Sequence, residues 1–332
     1  MAEQKSLRER LGLLIKVAEM YYLEGKNQDE IAQVVGVTRS MVSRMLTEAR
    51  ARGIVEIRIH RPLEFDHTIE TLLQEEFGLE NVCVVDLGGV NDDHLLKYLG
   101  VAGSTLLEEY LKSESILGAA WGSSVSAVVD QVEKQQSMPI KIVQLVGALG
   151  ATMNEYNGHS IVQRLVQKVG GEGYYLNAPF ICPTPETAHS LKETPGVKEA
   201  IEMGQKCTLA LLGVGSTLPQ YSSFYLAGYV PVEELDDLRQ IGAVGDVCGL
   251  HFDIHGNEIC GQFCERLVTI RKEHLQAIPV RIGVAGGLGK VDAILGALRG
   301  GYINVLATDN ITARKILEEQ KVYPINNRKK EK

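Results

Sequence analysis

Residues 28–50, Gln-Asp-Glu-Ile-Ala-Gln-Val-Val-Gly-Val-Thr-Arg-Ser-Met-Val-Ser-Arg-Met-Leu-Thr-Glu-Ala-Arg, describe two short helices joined by a tight turn at Gly36. Asn27 stands where an N-cap is needed, and Glu30 at the third helical position completes a capping box. Ile31, Ala32, Val34 and Val35 supply the apolar side, and the small Ala32 permits a close helix crossing. Val37 is placed to fill the core beneath the turn. Thr38 caps the second helix, whose Met41, Val42, Met45 and Leu46 are predicted to face inward. Arg39, Ser40, Ser43 and Arg44 are left on its polar side.

That layout is a DNA-reading helix-turn-helix. The first residues of such a recognition helix reach base edges, where arginine can pair with guanine O6 and N7. Candidate DNA-contacting residues are therefore Thr38, Arg39, Ser40, Ser43 and Arg44, with Arg50 and Arg52 better placed for phosphates. The competing interpretation is a three-helix docking module whose arginines are merely solvated.

Upstream, Leu7, Leu11, Leu14, Ile15, Ala18, Tyr21 and Tyr22 recur at helical spacing and predict an amphipathic first helix ended by Gly25. Downstream, Gly53–Ile59 alternates like a strand and could form a wing, and Pro62 breaks the pattern. A domain boundary is expected there, giving a DNA-binding domain over 1–60 and a larger domain over 61–325. Phe65, Ile69, Leu72, Leu73 and Phe77 share one side of a predicted connecting helix over 64–77, suited to pairing protomers or to packing on its own domain.

The charge is divided along the same line. The chain of 332 residues carries a net charge of −8, but residues 1–60 hold ten Lys/Arg against eight Asp/Glu, and the remainder 24 against 34. A mildly basic head with an acidic body fits a DNA-binding unit attached to something that should stay off DNA. With 45% hydrophobic and 23% charged residues the composition is that of a globular protein. No apolar run is long enough to span a membrane and the start lacks a signal peptide's apolar segment, so a cytoplasmic location and no membrane partner are expected. The six cysteines are expected to be small buried hydrophobes. His251, His255, Cys260 and Cys264 do not follow a common zinc spacing, and His255-Gly256-Asn257 reads as a hairpin turn, so no metal or cofactor is expected.

From residue 81 onward short apolar runs alternate with helical segments. Strands are predicted at Asn81–Asp86, Ile116–Trp121, Ile140–Val146, Thr208–Val214, Val280–Ala285 and Ile303–Thr308, with helices near 124–134, 158–169, 290–298 and 311–319. This is an α/β fold: a mainly parallel sheet covered on both faces, whose ligands bind at the carboxyl ends of the strands. Five of the loops are glycine-rich. Trp121-Gly122-Ser123-Ser124 places backbone N–H groups and two hydroxyls at a helix start, and Ala285-Gly286-Gly287-Leu288-Gly289-Lys290 adds a cation. Gly147–Gly150, Gly213–Ser216 and Gly242–Asp246 are the others. Together they favour a small phosphorylated ligand, although neither the P-loop nor the dinucleotide fingerprint is present.

The head, followed in order by Trp-Gly-Ser-Ser-Val, Val-Gln-Leu-Val-Gly-Ala-Leu-Gly, Gly-Ala-Val-Gly-Asp-Val-Cys-Gly-Leu-His-Phe-Asp and Val-Ala-Gly-Gly-Leu-Gly-Lys, resembles the SorC family of bacterial sugar-responsive transcriptional regulators over essentially the whole chain. The resemblance implies an effector domain related to sugar-phosphate isomerases and deaminases, a tetrameric assembly, and as partners double-stranded operator DNA and a phosphorylated sugar effector. It puts Ser123, Ser124 and Lys290 at the phosphate, Asp246 at the sugar hydroxyls, and Asn157 and His159 in the segment lining the pocket; Gly122, Gly286 and Gly287 join the effector-binding candidates from the form of their loops. Some members of the family hold an aldehyde through a lysine in a Gln-Leu-Lys-Gly-Gly stretch. Here Val146 stands in Gln144-Leu145-Val146-Gly147-Ala148, so binding is expected to be non-covalent. The main expectation is a ligand-controlled transcription factor with no catalytic residues. The alternative is a phosphosugar isomerase- or deaminase-like enzyme using Asp246 or His159 as a base.

Overall fold

A computed structural model describes residues 2–55, 63–88, 94–134, 138–148 and 155–322. Two compact units divide the chain, Met1–Pro62 and Leu63–Lys332.

The first unit comprises α1 (Ala2–Tyr22), α2 (Gln28–Val35) and α3 (Arg39–Ala51). The expected local signals all operate. Asn27 Oδ1 accepts the N–H groups of Asp29 and Glu30, both at 3.0 Å, and Glu30 Oε2 accepts that of Asn27 at 2.8 Å. Gly36 takes φ +73°, a left-handed conformation that ends α2. Thr38 Oγ1 accepts the N–H of Met41 at 3.4 Å and starts α3. Val17, Met20, Ile31, Ala32, Val42 and Leu46 form the core.

The inner face of α1 differs from the expected one. Leu14, Val17, Ala18 and Met20 are buried, whereas Leu11, Ile15, Tyr21 and Tyr22 are exposed. Two neighbouring apolar stripes about 100° apart compete on this helix, and the one that can reach both α2 and α3 wins. Val34 and Met41 are also exposed, at 57% and 45%. The wing expected at Gly53–Ile59 lies for the most part outside the described residues.

Among the described residues the second unit has eleven strands: β1 (Glu64–Phe65), β2 (Asn81–Asp86), β3 (Ile116–Ala119), β4 (Lys141–Gln144), β5 (Glu172–Tyr174), β6 (Leu209–Gly213), β7 (Gly215–Ser216), β8 (Gly245–Val247), β9 (Leu250–Phe252), β10 (Val280–Val284) and β11 (Val305–Asp309). Eight form one sheet in the order β1-β2-β11-β10-β6-β3-β4-β5, all parallel except the antiparallel edge pair β1–β2. The β7-β8-β9 strands make a small antiparallel sheet. Helices α4 (His67–Phe77), α5 (Leu95–Tyr110), α6 (Ser123–Gln131), α7 (Gly158–Val169), α8 (Pro185–Lys192), α9 (Pro195–Gly204), α10 (Ser223–Leu226), α11 (Val232–Gln240), α12 (Gln262–Glu265), α13 (Lys272–Ala277), α14 (Val291–Arg299) and α15 (Asn310–Val322) complete it. The apolar runs of β2, β6 and β11 are buried along almost their whole length, as a sheet covered on both faces requires.

Three features depart from expectation. The predicted connecting helix starts at His67, because Glu64 and Phe65 pair with Asp86 and Val85, and its Ile69 and Leu73 pack into this unit's own core. Strands of two or three residues, such as Gly245–Val247 and Leu250–Phe252, are too short to show a period and were not anticipated. Cys83, Cys182, Cys207 and Cys248 are buried free thiols, but Cys260 and Cys264 form a disulfide across the first turn of α12, and Cys260 is exposed. The expectation of six buried thiols fails there because Cys260 lies in an exposed loop and the helix start brings Cys264 back to it. Thiol titration in denaturant is expected to count four thiols before reduction and six after.

From β3 the chain moves outward through β4 and β5, then returns to the other side of β3 as β6 and continues to β10 and β11. This reversal leaves a crevice at the carboxyl ends of β3, β6 and β10, where such sheets bind their ligands. Register aligns those ends: Ala119 pairs with Leu211, and Gly213 with Val284.

Candidate functional site

In the first unit, α3 exposes Arg39, Ser40, Ser43 and Arg44 together. Their surroundings differ. Thr38 Oγ1 is engaged in the cap and lies 3.0 Å from Ser40 Oγ. Arg39 Nε is 3.8 Å from Asp29 Oδ2 on α2, with both side chains mostly in solvent. Glu48 takes Arg10 at 2.8 Å and Arg52 at 2.6 Å. The hydrogen bond from Arg10, helped by the charge of Arg52, holds the Glu48 carboxyl below its usual range. Arg44 and Arg50 have no carboxylate partner among the described residues.

In the second unit a small polar cleft of about 40 Å³ opens at the ends of β3, β6 and β10. It brings together Gly122, Ser123, Ser124, Asp246 and Lys290, which are separated by up to 168 positions in the sequence. β3 stops at Ala119, and Gly122, at φ +117°, turns the chain into α6 while donating its N–H to Tyr156 O at 2.9 Å. The N-cap position of α6 is Gly122, and among the described residues no side chain caps the helix. Its first N–H groups are therefore the orphan donors of a helix start, a setting that favours an anion. Opposite them, Lys290 Nζ donates to Val214 O at 2.9 Å.

Asp246, on β8, is only 7% exposed, and its Oδ2 accepts the N–H of Gly249 at 3.0 Å. A Cβ at Gly215 would stand 2.0 Å from Asp246 Oδ1, so a residue without a side chain is required for this carboxylate to occupy its place. His251 lies across from Asp246 in the β8–β9 register. It is buried with Nδ1 unpartnered and sits edge-on to Phe263, ring centroids 5.4 Å apart.

Burial dominates the protonation of this cluster. It pushes the Asp246 carboxyl up, against the opposing pull of His251, the Gly249 N–H and Lys290. It pushes the Lys290 ammonium down, against Asp246. It also lowers His251, so the ring tends toward neutral. Asp246 thus binds its proton more tightly in the folded chain than in the unfolded one. Stability falls as pH rises from the ordinary carboxylate range to the raised value. Asp246→Asn is expected to remove that slope and raise the melting temperature at neutral pH, since the amide oxygen can still accept from Gly249. Melting curves across pH would refute this if the variant kept the wild-type slope.

Other anticipated residues fall elsewhere. Asn157 caps α7, its Oδ1 accepting the N–H of His159 at 3.1 Å. It lines a second cavity of about 360 Å³ that shares Trp121, Gly122, Ser123 and Ser223 with the cleft. The His159 ring stacks on Tyr175 at 4.2 Å and lines neither cavity. Gly286 and Gly287 line a separate cavity with Leu87, Tyr221 and Asp309, to which Lys290 also contributes. The Gly287 N–H is already taken, by Asp309 Oδ2 at 3.0 Å and Thr312 Oγ1 at 2.7 Å. Gly147, in the loop whose last residues lie outside the described ones, packs against Ala178 and Phe180. The sequence reading missed Ser223 and Phe224, which line the cleft, and Tyr156 and Tyr229, which line the cavity beside it. None of the four lies in a glycine-rich or charged stretch.

The model of the family described as "Putative sugar-binding domain" matches residues 61–318, and that of sigma-70 region 4 matches residues 16–52. The Deoxyribonucleoside regulator of Bacillus subtilis (strain 168) is 31% identical over 94% of this chain and 99% of its own. The Sorbitol operon regulator of Klebsiella pneumoniae is 28% identical over 92% and 98%. The crystal structure of the full-length Klebsiella pneumoniae regulator SorC matches with a TM-score of 0.72 over 92% of this chain and 98% of that one. A helix-turn-helix unit joined to an α/β sugar-binding domain defines a DNA-binding regulator. The chain belongs to the sugar-binding domain family of DeoR/SorC-type sugar-responsive regulators. Among the described residues no helix is long and apolar enough to cross a membrane.

Proposed function

We propose that this protein regulates an operon of carbohydrate metabolism, and that a phosphorylated sugar held non-covalently in the body controls its binding to operator DNA. The observation that carries the proposal is the cleft itself. An uncapped helix start with two serines faces a largely buried lysine beside a buried carboxylate. Ser123, Ser124 and the α6 N–H groups would take the phosphate and Lys290 its charge. Asp246, an acceptor when ionised, would select sugar hydroxyls. With Val146 in the loop after β4, no lysine is offered there for an imine.

In the DNA-binding unit Arg39, Ser40, Ser43 and Arg44 would meet the major groove, with Thr38 serving mainly to shape the helix start. An assembly of even order, a tetramer in the family resemblance, would read an inverted repeat with half-sites whole helical turns apart, ~34–36 Å per turn. The ligand and the operator must then change each other's affinity by the same factor.

The test is operator binding at fixed salt, using DNA selected from a random pool, with a panel of sugar phosphates and their dephosphorylated parents. Some phosphorylated member, but not its parent, should shift the affinity. A body that binds phosphosugars while operator affinity stays constant would refute the regulatory coupling. The enzymatic alternative loses one of its two candidate bases, because His159 lines neither cavity and Asp246 alone lies in the cleft. Turnover of a bound phosphosugar, abolished in Asp246→Asn, would restore it.

A further inference from the structure

We infer that the effector carries, at the end remote from its phosphate, a planar aromatic substituent that occupies the aromatic cavity beside the cleft. This rests on the phosphosugar proposal and specifies the class of sugar phosphate: a substituted one, such as a phosphorylated aryl glycoside or a nucleotide-like compound.

Size gives the first argument. The cleft of about 40 Å³ accommodates an anionic head and little more, while the cavity continuing from it holds about 360 Å³. Sites for small organic ligands generally run to roughly 300–1,000 Å³, so head and cavity together make a ligand-sized site and the cleft alone does not. Continuity is the second. Trp121, Gly122 and Ser123 belong to both walls, so a ligand whose phosphate meets the start of α6 leaves the cleft directly into the cavity.

The chemistry of the walls is the third. Beyond the shared mouth the cavity is bounded by Tyr156, Leu226, Ala227 and Tyr229, with Asn157 supplying a polar edge. Leu226 is 67% exposed and Tyr156 40% exposed, so both walls keep apolar surface accessible. The Asn157 carbonyl oxygen accepts from the His159 N–H. Ser123, Ser223 and the tyrosine hydroxyls offer some hydrogen bonds, but the wall is mainly apolar, so a polyhydroxylated tail placed here would recover fewer than it gives up to water. A planar aromatic group would gain stacking against the rings and bury Leu226.

The experiment is calorimetric titration of the full chain with two matched probe pairs: glucose 6-phosphate against phenyl glucoside 6-phosphate, and ribose 5-phosphate against a nucleoside 5′-monophosphate. In at least one pair the substituted member should bind about tenfold tighter or more, as expected for burying one ring. That ratio should collapse toward one in Leu226→Ser, a change at an exposed position, and in Tyr229→Ala. Substituted members that bind no tighter than bare ones in both pairs overturn the inference and leave the phosphosugar proposal standing. A preference that survives both variants also overturns it, because the gain then arises outside the cavity. If no member of either pair binds, the phosphosugar proposal falls and the inference with it.

Discussion

Lys290→Met is expected to weaken phosphosugar binding by about a hundredfold or more, the scale of removing one partner from a buried charge pair. Methionine keeps the length and apolar character of the stem, so the loss isolates the ammonium. In the wild type that ammonium is largely withdrawn from water, held by Val214 O, and biased toward losing its proton by burial. An arriving phosphate reverses the bias, because a dianion beside the ammonium favours its charged form. The variant would instead bring a phosphate near Asp246 with no cation between them. Val214 O also loses its donor, so a modest fall in melting temperature should accompany the binding loss, about 1 kcal/mol for one hydrogen bond. An affinity within twofold of wild type would remove Lys290 from the phosphate site.

Arg44→Ala should cost operator binding more than any other single change on α3. A bidentate arginine–guanine pair is worth about 1–3 kcal/mol. A symmetric reader makes the contact at each half-site, so the loss compounds to about a hundredfold or more. Arg44 is exposed and has no carboxylate to leave among the described residues. Arg39 must first part from Asp29, so Arg39→Ala should do less. Thr38→Ala should act through the fold, removing a cap worth about 1 kcal/mol of helix stability and lowering the melting temperature of the first unit. Fluorescence anisotropy with matched and mutated operators at one salt concentration separates these cases. Equal weakening by Arg44→Ala on specific and random DNA would reassign the residue to phosphate contact.

What the sequence revealed follows the range of the forces involved. Asn27, Glu30, Gly36 and Thr38 act within three or four positions, and all shape the structure as their neighbours demand. The buried face of α1 depends on two other helices, and the local pattern favoured Leu11, Ile15, Tyr21 and Tyr22 over Val17 and Met20. The parallel sheet was legible because strands buried on both faces are nearly continuous apolar runs. The β7–β9 strands that position Asp246 were not, being two or three residues long. In the cleft Ser123, Ser124, Asp246 and Lys290 converge from stretches marked by glycine and charge. Ser223 and Phe224 come from a segment around a four-residue helix with no such mark.

The loop at Gly286 and Gly287 has the form of a phosphate site, and the structure supplies a carboxyl oxygen for it from within the chain. Asp309 is tethered by β11, so its local concentration at the Gly287 N–H far exceeds that of any free metabolite. A dissolved phosphate would compete poorly for that donor. The loop bearing Lys290 is thereby set in place before any ligand arrives, and binding need not pay to order it. Discrimination among metabolites is left to the opposite bank of the cleft. On the proposed reading, a regulator built this way can change its ligand by altering the residues around α6 and α10 without disturbing the cation assigned to the phosphate.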